Sequence, residues 1–336
     1  MATAEQLKAL LKSHAAGDEE RFRAIVLQIA AQTARQGNVQ LAQQLRTLLD
    51  EARRTQAPAG FPRAVPIARP VGELAGLLTA SYPTTRLTDM VLPTQVQVAL
   101  VEVVREHRQR DRLRHHGLSP KRKLLLTGPP GCGKTMTASA LAGECSLPLM
   151  FVQLHSLITK YMGETAVKLH LVFDAMTQTK GVYLFDEFDA IGSTRSAHND
   201  VGEVRRILNS FLQFLERDDS ESIVLAATNF PGVLDDALFR RFDDVVRYAL
   251  PDGPMVRALV ENRLSSFNMK DLAWSTVTRA ARRLSHAEIT RACDDAAKAA
   301  VLADSASITT DLLAKTIRVR HLMRPSAPGK RGSAAR

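Results

Sequence analysis

The apolar positions of this 336-residue chain change their period as the chain proceeds. Through residues 1–56 they recur at helical spacing: Leu7, Leu10 and Leu11, then Phe22, Ile25, Val26 and Ile29, then Leu41, Leu45, Leu48 and Leu49. Gly17-Asp18 and Gly37-Asn38 punctuate the three pieces, so a small helical unit that contacts a substrate or partner is expected there. Prolines at 58, 62, 66, 70 and 83 mark 57–85 as an extended linker. From residue 86 short apolar runs alternate with helical patterns: strands at Lys123-Leu124-Leu125-Leu126-Thr127 and near 149–153, 181–185, 222–227 and 245–249, with a helix over 94–115. That alternation predicts an α/β fold over 86–253, a parallel sheet covered by helices. Pro251-Asp252-Gly253-Pro254 breaks it, and the pattern beyond is helical, at 255–267, 276–283, 287–302 and 310–322. Residues 254–322 are therefore expected to form a separate helical subdomain, and 323–336 a basic, disordered tail.

Two strand ends carry the chemistry. After the strand 123–127 comes Gly128-Pro129-Pro130-Gly131-Cys132-Gly133-Lys134-Thr135, which fits G-x-x-x-x-G-K-[ST] at every fixed position, and a helix follows from Met136. In that strand–loop–helix setting the glycines let backbone N–H groups face inward around phosphates, and the helix N-terminus adds positive charge. Lys134 is expected to reach the terminal phosphates and Thr135 to hold Mg²⁺ through its hydroxyl. The second strand end is Val182-Tyr183-Leu184-Phe185-Asp186-Glu187. Its two carboxylates emerge together at the edge of the sheet where ligands bind in open α/β folds. Asp186 is expected to complete the Mg²⁺ shell and Glu187 to polarise an attacking water. The pair of motifs points to a P-loop nucleoside triphosphatase.

Composition narrows the class. Three cysteines, Cys132, Cys145 and Cys293, form no Cys-x-x-Cys pair, which argues against a disulfide framework or a zinc site. No run of about 18 apolar residues occurs and the first residues lack a signal pattern, so a cytoplasmic protein with no membrane partner is expected. The formal charge of +10 is concentrated in 105–123 and the tail. It leaves nucleic acid open as a partner. The first of these runs also fits the polar face of a helix, with Val101, Val104 and Leu113 turned inward.

Several further patterns, in order along 86–322, resemble the AAA ATPases in the narrow sense of that family. They are Lys160-Tyr161-Met162-Gly163-Glu164, Asp186-Glu187-Phe188-Asp189-Ala190-Ile191-Gly192, Ala226-Ala227-Thr228-Asn229, and 234–243 with Arg240-Arg241-Phe242-Asp243. The resemblance implies ATP and Mg²⁺ as cofactors, and Asp89-Met90-Val91 as the lining of the adenine pocket. It implies that Asn229 orients the attacking water and that Arg241, with Arg240 second, acts on the ATP of a neighbouring subunit. It implies that Tyr161, Met162 and Gly163 form a loop that grips a protein substrate in a central channel, and that 254–322 is a helical lid. Ser285-His286-Ala287-Glu288-Ile289 stands where the family has Ser-Gly-Ala-Asp-Leu, with His286 for Gly and Glu288 for Asp. The implied activity is that of a homo-oligomeric, hexameric protein-remodelling ring. The short N-terminal helices, the approach from Leu92-Pro93 to Gly117-Leu118-Ser119-Pro120 and the compact 238–243 segment are similar to bacterial single-module AAA ATPases encoded beside a subtilisin-like serine protease. A protease partner is implied by that similarity. A nucleic-acid motor or loader and an ATP-dependent switch without threading are the alternatives.

Overall fold

The computed structural model describes residues 70, 72–157, 164–188, 201–233 and 236–323, all within the unit Ala68–Arg336. The expected N-terminal helices, the loop Tyr161-Met162-Gly163 and residues 324–336 of the tail lie outside the described residues.

Strands β1 (Leu78–Ser81), β2 (Lys123–Thr127), β3 (Leu149–Val152), β4 (Val182–Phe185), β5 (Ile223–Thr228) and β6 (Asp244–Arg247) form one sheet in the order β1-β3-β4-β5-β2-β6. Every pairing is parallel except β1 with β3, where Leu78 faces Val152. Successive residues of the central strands bury alternately on opposite faces. Leu125, Tyr183, Phe185, Val224 and Ala226 join one core, and Leu124, Leu126, Val182, Leu184, Leu225 and Ala227 the other. Both faces are therefore covered, which is why these strands read as unbroken apolar runs. The second face is covered by α1 (Thr94–Arg108) and α3 (Lys134–Cys145), and α2 (Arg110–His115) continues the chain beyond α1. The first face carries α4 (Glu164–Gln178) and α5 (Val201–Arg217). The lid, α6 (Gly253–Arg263), α7 (Trp274–Ala280), α8 (His286–Leu302) and α9 (Thr310–Leu322), has its own core around Val260, Leu284, Ile289 and Ile317.

Three sequence expectations change. Strand β1 falls inside the segment expected to be a linker. Leu77 and Leu78 are buried, and four residues ending two short of Pro83 are too few to show a period. The helix expected over 94–115 is interrupted at Gln109, whose φ of −105° and ψ of 19° end α1. Val101 is 50% exposed rather than turned inward, because the buried stripe of α1 runs through Val96, Leu100, Val103, Val104 and His107. No helix of the described residues is long and apolar enough to cross a membrane.

The basic run after α1 is largely paired. Arg108 meets Glu144 at 2.9 Å, Lys121 meets Glu102 at 3.2 Å, Arg110 and Arg114 meet Glu221, and Arg122 meets Asp218. Each exposed pair contributes little to stability, and their carboxylates are already counted in the net charge of +10, which the pairing leaves unchanged. Beneath this layer, burial, with Lys180 and Arg110 adding to it, pushes the His107 imidazole down to about 4. The folded state therefore binds fewer protons than the unfolded chain, whose ordinary value is 6.5. The stability held with neutral His107 is fully present above about pH 6.5 and is lost as pH falls toward 4. Thermal melts should lose on the order of 3 kcal/mol across that window. His107→Gln should flatten the loss, and an equally steep loss in that variant would assign it to other groups.

Candidate active site

The strand order makes β4, β5 and β2 neighbours, so the segments leaving their C-terminal ends meet in a row. Register sharpens this: Thr127 pairs with Thr228, and Phe185 with Ala226. Gly128 and Asn229 consequently leave the sheet side by side, with the Gly128 N–H donating to Thr228 O at 3.3 Å. Gly128 has a φ of 144°, and a Cβ there would lie 2.4 Å from the Tyr248 carbonyl oxygen, so only glycine lets the loop start this close to the chain leaving β6.

The loop closes into α3, whose first backbone bond, from Thr137 N–H to Gly133 O at 2.8 Å, leaves the earlier amides outside the helical ladder. Lys134 is buried, and its ammonium donates to Gly128 O, Pro129 O and Asn229 Oδ1 at 2.7, 2.9 and 2.8 Å. Thr135 Oγ1 donates to Asp186 Oδ2 at 2.6 Å, while Asp186 Oδ1 accepts from the Glu187 N–H at 2.8 Å. Glu187 itself is exposed and has a φ of 52°, in the left-handed region that non-glycine residues rarely occupy. Buried Phe185 and Phe188 on either side hold this conformation, each ring packing on Phe211, with centroids 5.0 and 4.7 Å apart. Strained backbone held by its surroundings is a feature of functional sites.

Lys134, Thr135, Asp186, Glu187 and Asn229 line one cavity of about 710 Å³, together with Met90, Pro130, Gly131, Cys132, Gly133 and Met136. Met90 Cε lies 3.3 Å from where a Cβ on Gly133 would sit. The opposite wall comes from the lid, through Leu259, Asn262 and Arg263 of α6 and His286, Ala287, Thr290 and Arg291 of α8. Helix α8 begins with a capping box: Glu288 Oε2 accepts from the Ser285 N–H at 2.7 Å, and Ser285 Oγ accepts from the Glu288 N–H. Glutamate is well suited to that reciprocal reach, so Glu288 in place of Asp keeps the helix start. The lid docks on the phosphate loop directly, with the Ala287 N–H donating to Gly131 O at 3.0 Å. A Cβ on Gly131, where φ is 75°, would meet Ser285 Oγ at 2.8 Å.

The donor set fits Mg²⁺ and a nucleoside triphosphate. A hydroxyl and a carboxylate at hydrogen-bond distance are hard oxygen ligands, and Mg²⁺ is commonly held by one or two carboxylates plus phosphates. A buried ammonium satisfied by three oxygens can exchange them for phosphate oxygens. The loop, Asp186, Glu187, Asn229 and Met90 are thus brought together, whereas Arg240 and Arg241 are not. They precede β6, where the Asp243 N–H donates to Lys123 O, at the far end of β2 from Gly128. Five residues of strand separate the two ends by about 16 Å. Arg241 Nε pairs with Glu216 of α5, and Arg240 is exposed. The lid residues of the wall, and Glu216, were not assigned from the sequence. Only the departure at His286 hinted at them.

The pattern of the "ATPase family associated with various cellular activities (AAA)" matches residues 124–250. The chain is 35% identical over 306 residues to the uncharacterized AAA family ATPase y4kL of Sinorhizobium fredii, covering 90% of each. It is 32% identical over 266 residues to the ATP-dependent zinc metalloprotease FtsH of Acidothermus cellulolyticus, where it spans 76% of this chain but 40% of FtsH. The crystal structure of the FIGL-1 AAA domain superposes with a TM-score of 0.60 over 79% of this chain and 94% of that one, at 24% identity, a likeness of fold.

Proposed function

The chain belongs to the AAA ATPase family, and from that premise we propose that it is a Mg²⁺-dependent ATPase that works as a hexameric protein-remodelling ring. The observation that carries the reading is the convergence of Lys134, Thr135, Asp186, Glu187 and Asn229 on one cavity at three adjacent strand ends. When bound, Mg·ATP supplies the phosphoryl group and the divalent charge. Lys134 would exchange its carbonyl partners for the terminal phosphates, and Thr135 and Asp186 would hold the metal. Asn229, released from Lys134, orients a water, and Glu187 takes its proton. Arg241 of a neighbouring copy stabilises the charge of the transition state, because 16 Å or so of strand keeps it from its own subunit's loop. The lid, hydrogen-bonded to Gly131, follows changes at the phosphates and transmits them to the ring.

In this reading the loop Tyr161-Met162-Gly163 grips the polypeptide, with the aromatic face and the thioether providing contact without sequence preference. The FtsH relatives are proteases by name, and this chain covers 40% of the FtsH of Acidothermus cellulolyticus. A separate protease, of the subtilisin-like kind suggested by the sequence resemblance, is the partner we propose for degradation. The Tyr161-Met162-Gly163 pattern, by its resemblance, favours a protein over a nucleic-acid substrate.

The test is ATP turnover and unfolding of a fluorescent protein substrate by the full chain. Unstructured protein should stimulate turnover and DNA should not. Tyr161→Ala should keep basal turnover within a few-fold of wild type while abolishing unfolding, and Tyr161→Phe should retain most of it. Normal unfolding by Tyr161→Ala would leave the switch alternative in place of threading.

A further inference from the structure

A second cavity, of about 550 Å³, opens at the root of the lid, where the chain leaving β6 enters α6. It shares no lining residue with the cavity at the strand ends. One side is the start of α6, with Asp252. The other is α7 and the turn after it, through Ser275, Thr278, Arg279, Arg282 and Arg283. Spacing explains the convergence. Positions 275, 278, 279 and 282 are three or four residues apart, so they fall on one face of α7 and its continuation. Val277 and Ala281, on the other face, are buried.

The arginines of this cavity differ from others in the lid. Arg257 pairs with Glu261, Arg263 with Asp294 and Arg320 with Asp295. Arg279, Arg282 and Arg283 pair with no carboxylate among the described residues. Asp252 does not fill the role, because its carboxylate caps α6, accepting from the Met255 N–H at 3.0 Å. Three guanidiniums against that one carboxylate leave two positive charges in excess. Like charges three and four residues apart repel. Arg283 adds a second cost: its φ of 68° lies in the left-handed region, where any residue but glycine is strained. The lid core does not require these side chains. All three are exposed, and the core is built from Val277, Ala281 and Leu284 between them. The Ser275 hydroxyl is exposed and can add a donor, while that of Thr278 is already given to Trp274 O at 2.8 Å.

We propose that this cavity is an oxyanion site whose ligand is a phosphoryl group, carried by a free small molecule or by a phosphorylated side chain of a partner protein. Arginine presents a planar fork of donors that matches phosphate oxygens. A phosphate monoester carries a charge of about −1.5 to −2 at neutral pH, which meets the excess of two, whereas a single carboxylate would leave one positive charge unmet. The volume falls within the range of small-ligand sites, about 300–1,000 Å³, and leaves room for the group that bears the phosphate. The assignment does not depend on the nucleotide reading of the first cavity, because the two have no lining residue in common.

The test is equilibrium binding to the full chain saturated with Mg·ADP, so that the phosphate loop is occupied. The probes are inorganic phosphate, a short peptide whose one charged residue is a phosphoserine, and the same peptide unphosphorylated. Wild type should bind the first two and not the third. Arg282→Gln and, separately, Arg279→Gln should weaken both about tenfold or more, the loss of one hydrogen bond between charged groups. Arg283→Gly should weaken them likewise, yet melt no lower than wild type without ligand, because glycine relieves the φ of 68°. Lost binding in that variant is then not a folding defect. A phosphopeptide that binds much more tightly than phosphate identifies a protein as the source, and comparable binding identifies a free phosphorylated compound. No binding of either phosphorylated probe by wild type, equal binding of the unphosphorylated peptide, or unchanged affinity in all three variants would overturn the assignment. A chain that does not bind Mg·ADP would overturn the nucleotide reading alone, and the same titrations without ADP, wild type against variants, would still decide this site.

Discussion

Replacing Glu187 by Gln is expected to lower ATP turnover about 10²–10⁴-fold, the range for loss of a general base, while leaving ATP binding near wild type. The amide keeps the size of the side chain but cannot take a proton from water. Binding should be retained because the phosphate contacts we propose are those of Lys134, Thr135 and the loop amides, and because Asp186, not Glu187, bonds to Thr135 at 2.6 Å. The backbone N–H of residue 187 donates to Asp186 Oδ1 at 2.8 Å whichever side chain it carries, and Gln meets the same steric limits as Glu at a φ of 52°. Single-turnover hydrolysis and nucleotide binding by the same preparation check both halves. Near-normal turnover would remove Glu187 from the role of base.

Much of this site was legible in the sequence because its information is local. The phosphate loop is eight consecutive residues, and the carboxylates and Asn229 each end an unbroken apolar run, so strand ends could be assigned without knowing the sheet order. The parallel part of the sheet and the helices beyond Pro254 followed from the same periodicity, and their reading as a lid came from the family resemblance. What escaped depends on pairings between distant positions. Strand β1 exists because Leu78 meets Val152, and nothing in Leu78-Thr79-Ala80-Ser81 alone distinguishes it from a linker. The outward turn of Val101 reflects which stripe of α1 met the sheet. The contact of Ala287 with Gly131 joins residues far apart in the chain, which is why a histidine at 286 could be seen as a departure from a pattern but not as part of a cavity wall.

The arginine pair is the sharpest case. The sequence ranks Arg241 ahead of Arg240 only by its place directly before Phe242-Asp243. In the structure Arg241 is bonded through Nε to Glu216, a contact that orients the guanidinium. Arg240 is exposed. Arg241→Ala is accordingly expected to lower turnover about 10³–10⁵-fold, the effect of losing an arginine supplied in trans, with ATP affinity per subunit unchanged. Arg240→Ala should cost less. The expectation follows from place as much as from chemistry: the pair lies at the end of β2 remote from the phosphate loop, so the target we propose for it is on another copy.

Mixing two inactive proteins tests the central claim, an ATPase site completed between subunits, most directly. Glu187→Gln keeps Arg241, and Arg241→Ala keeps Glu187, so an interface that joins the finger of the first to the nucleotide of the second contains every group of an intact site. ATP turnover measured after mixing the two at concentrations where the protein assembles should rise well above the sum of the separate proteins, and should fall again on dilution to monomer. A mixture that assembles and binds ATP yet stays as inactive as its components would contradict the account, as would full turnover by the dilute wild-type monomer.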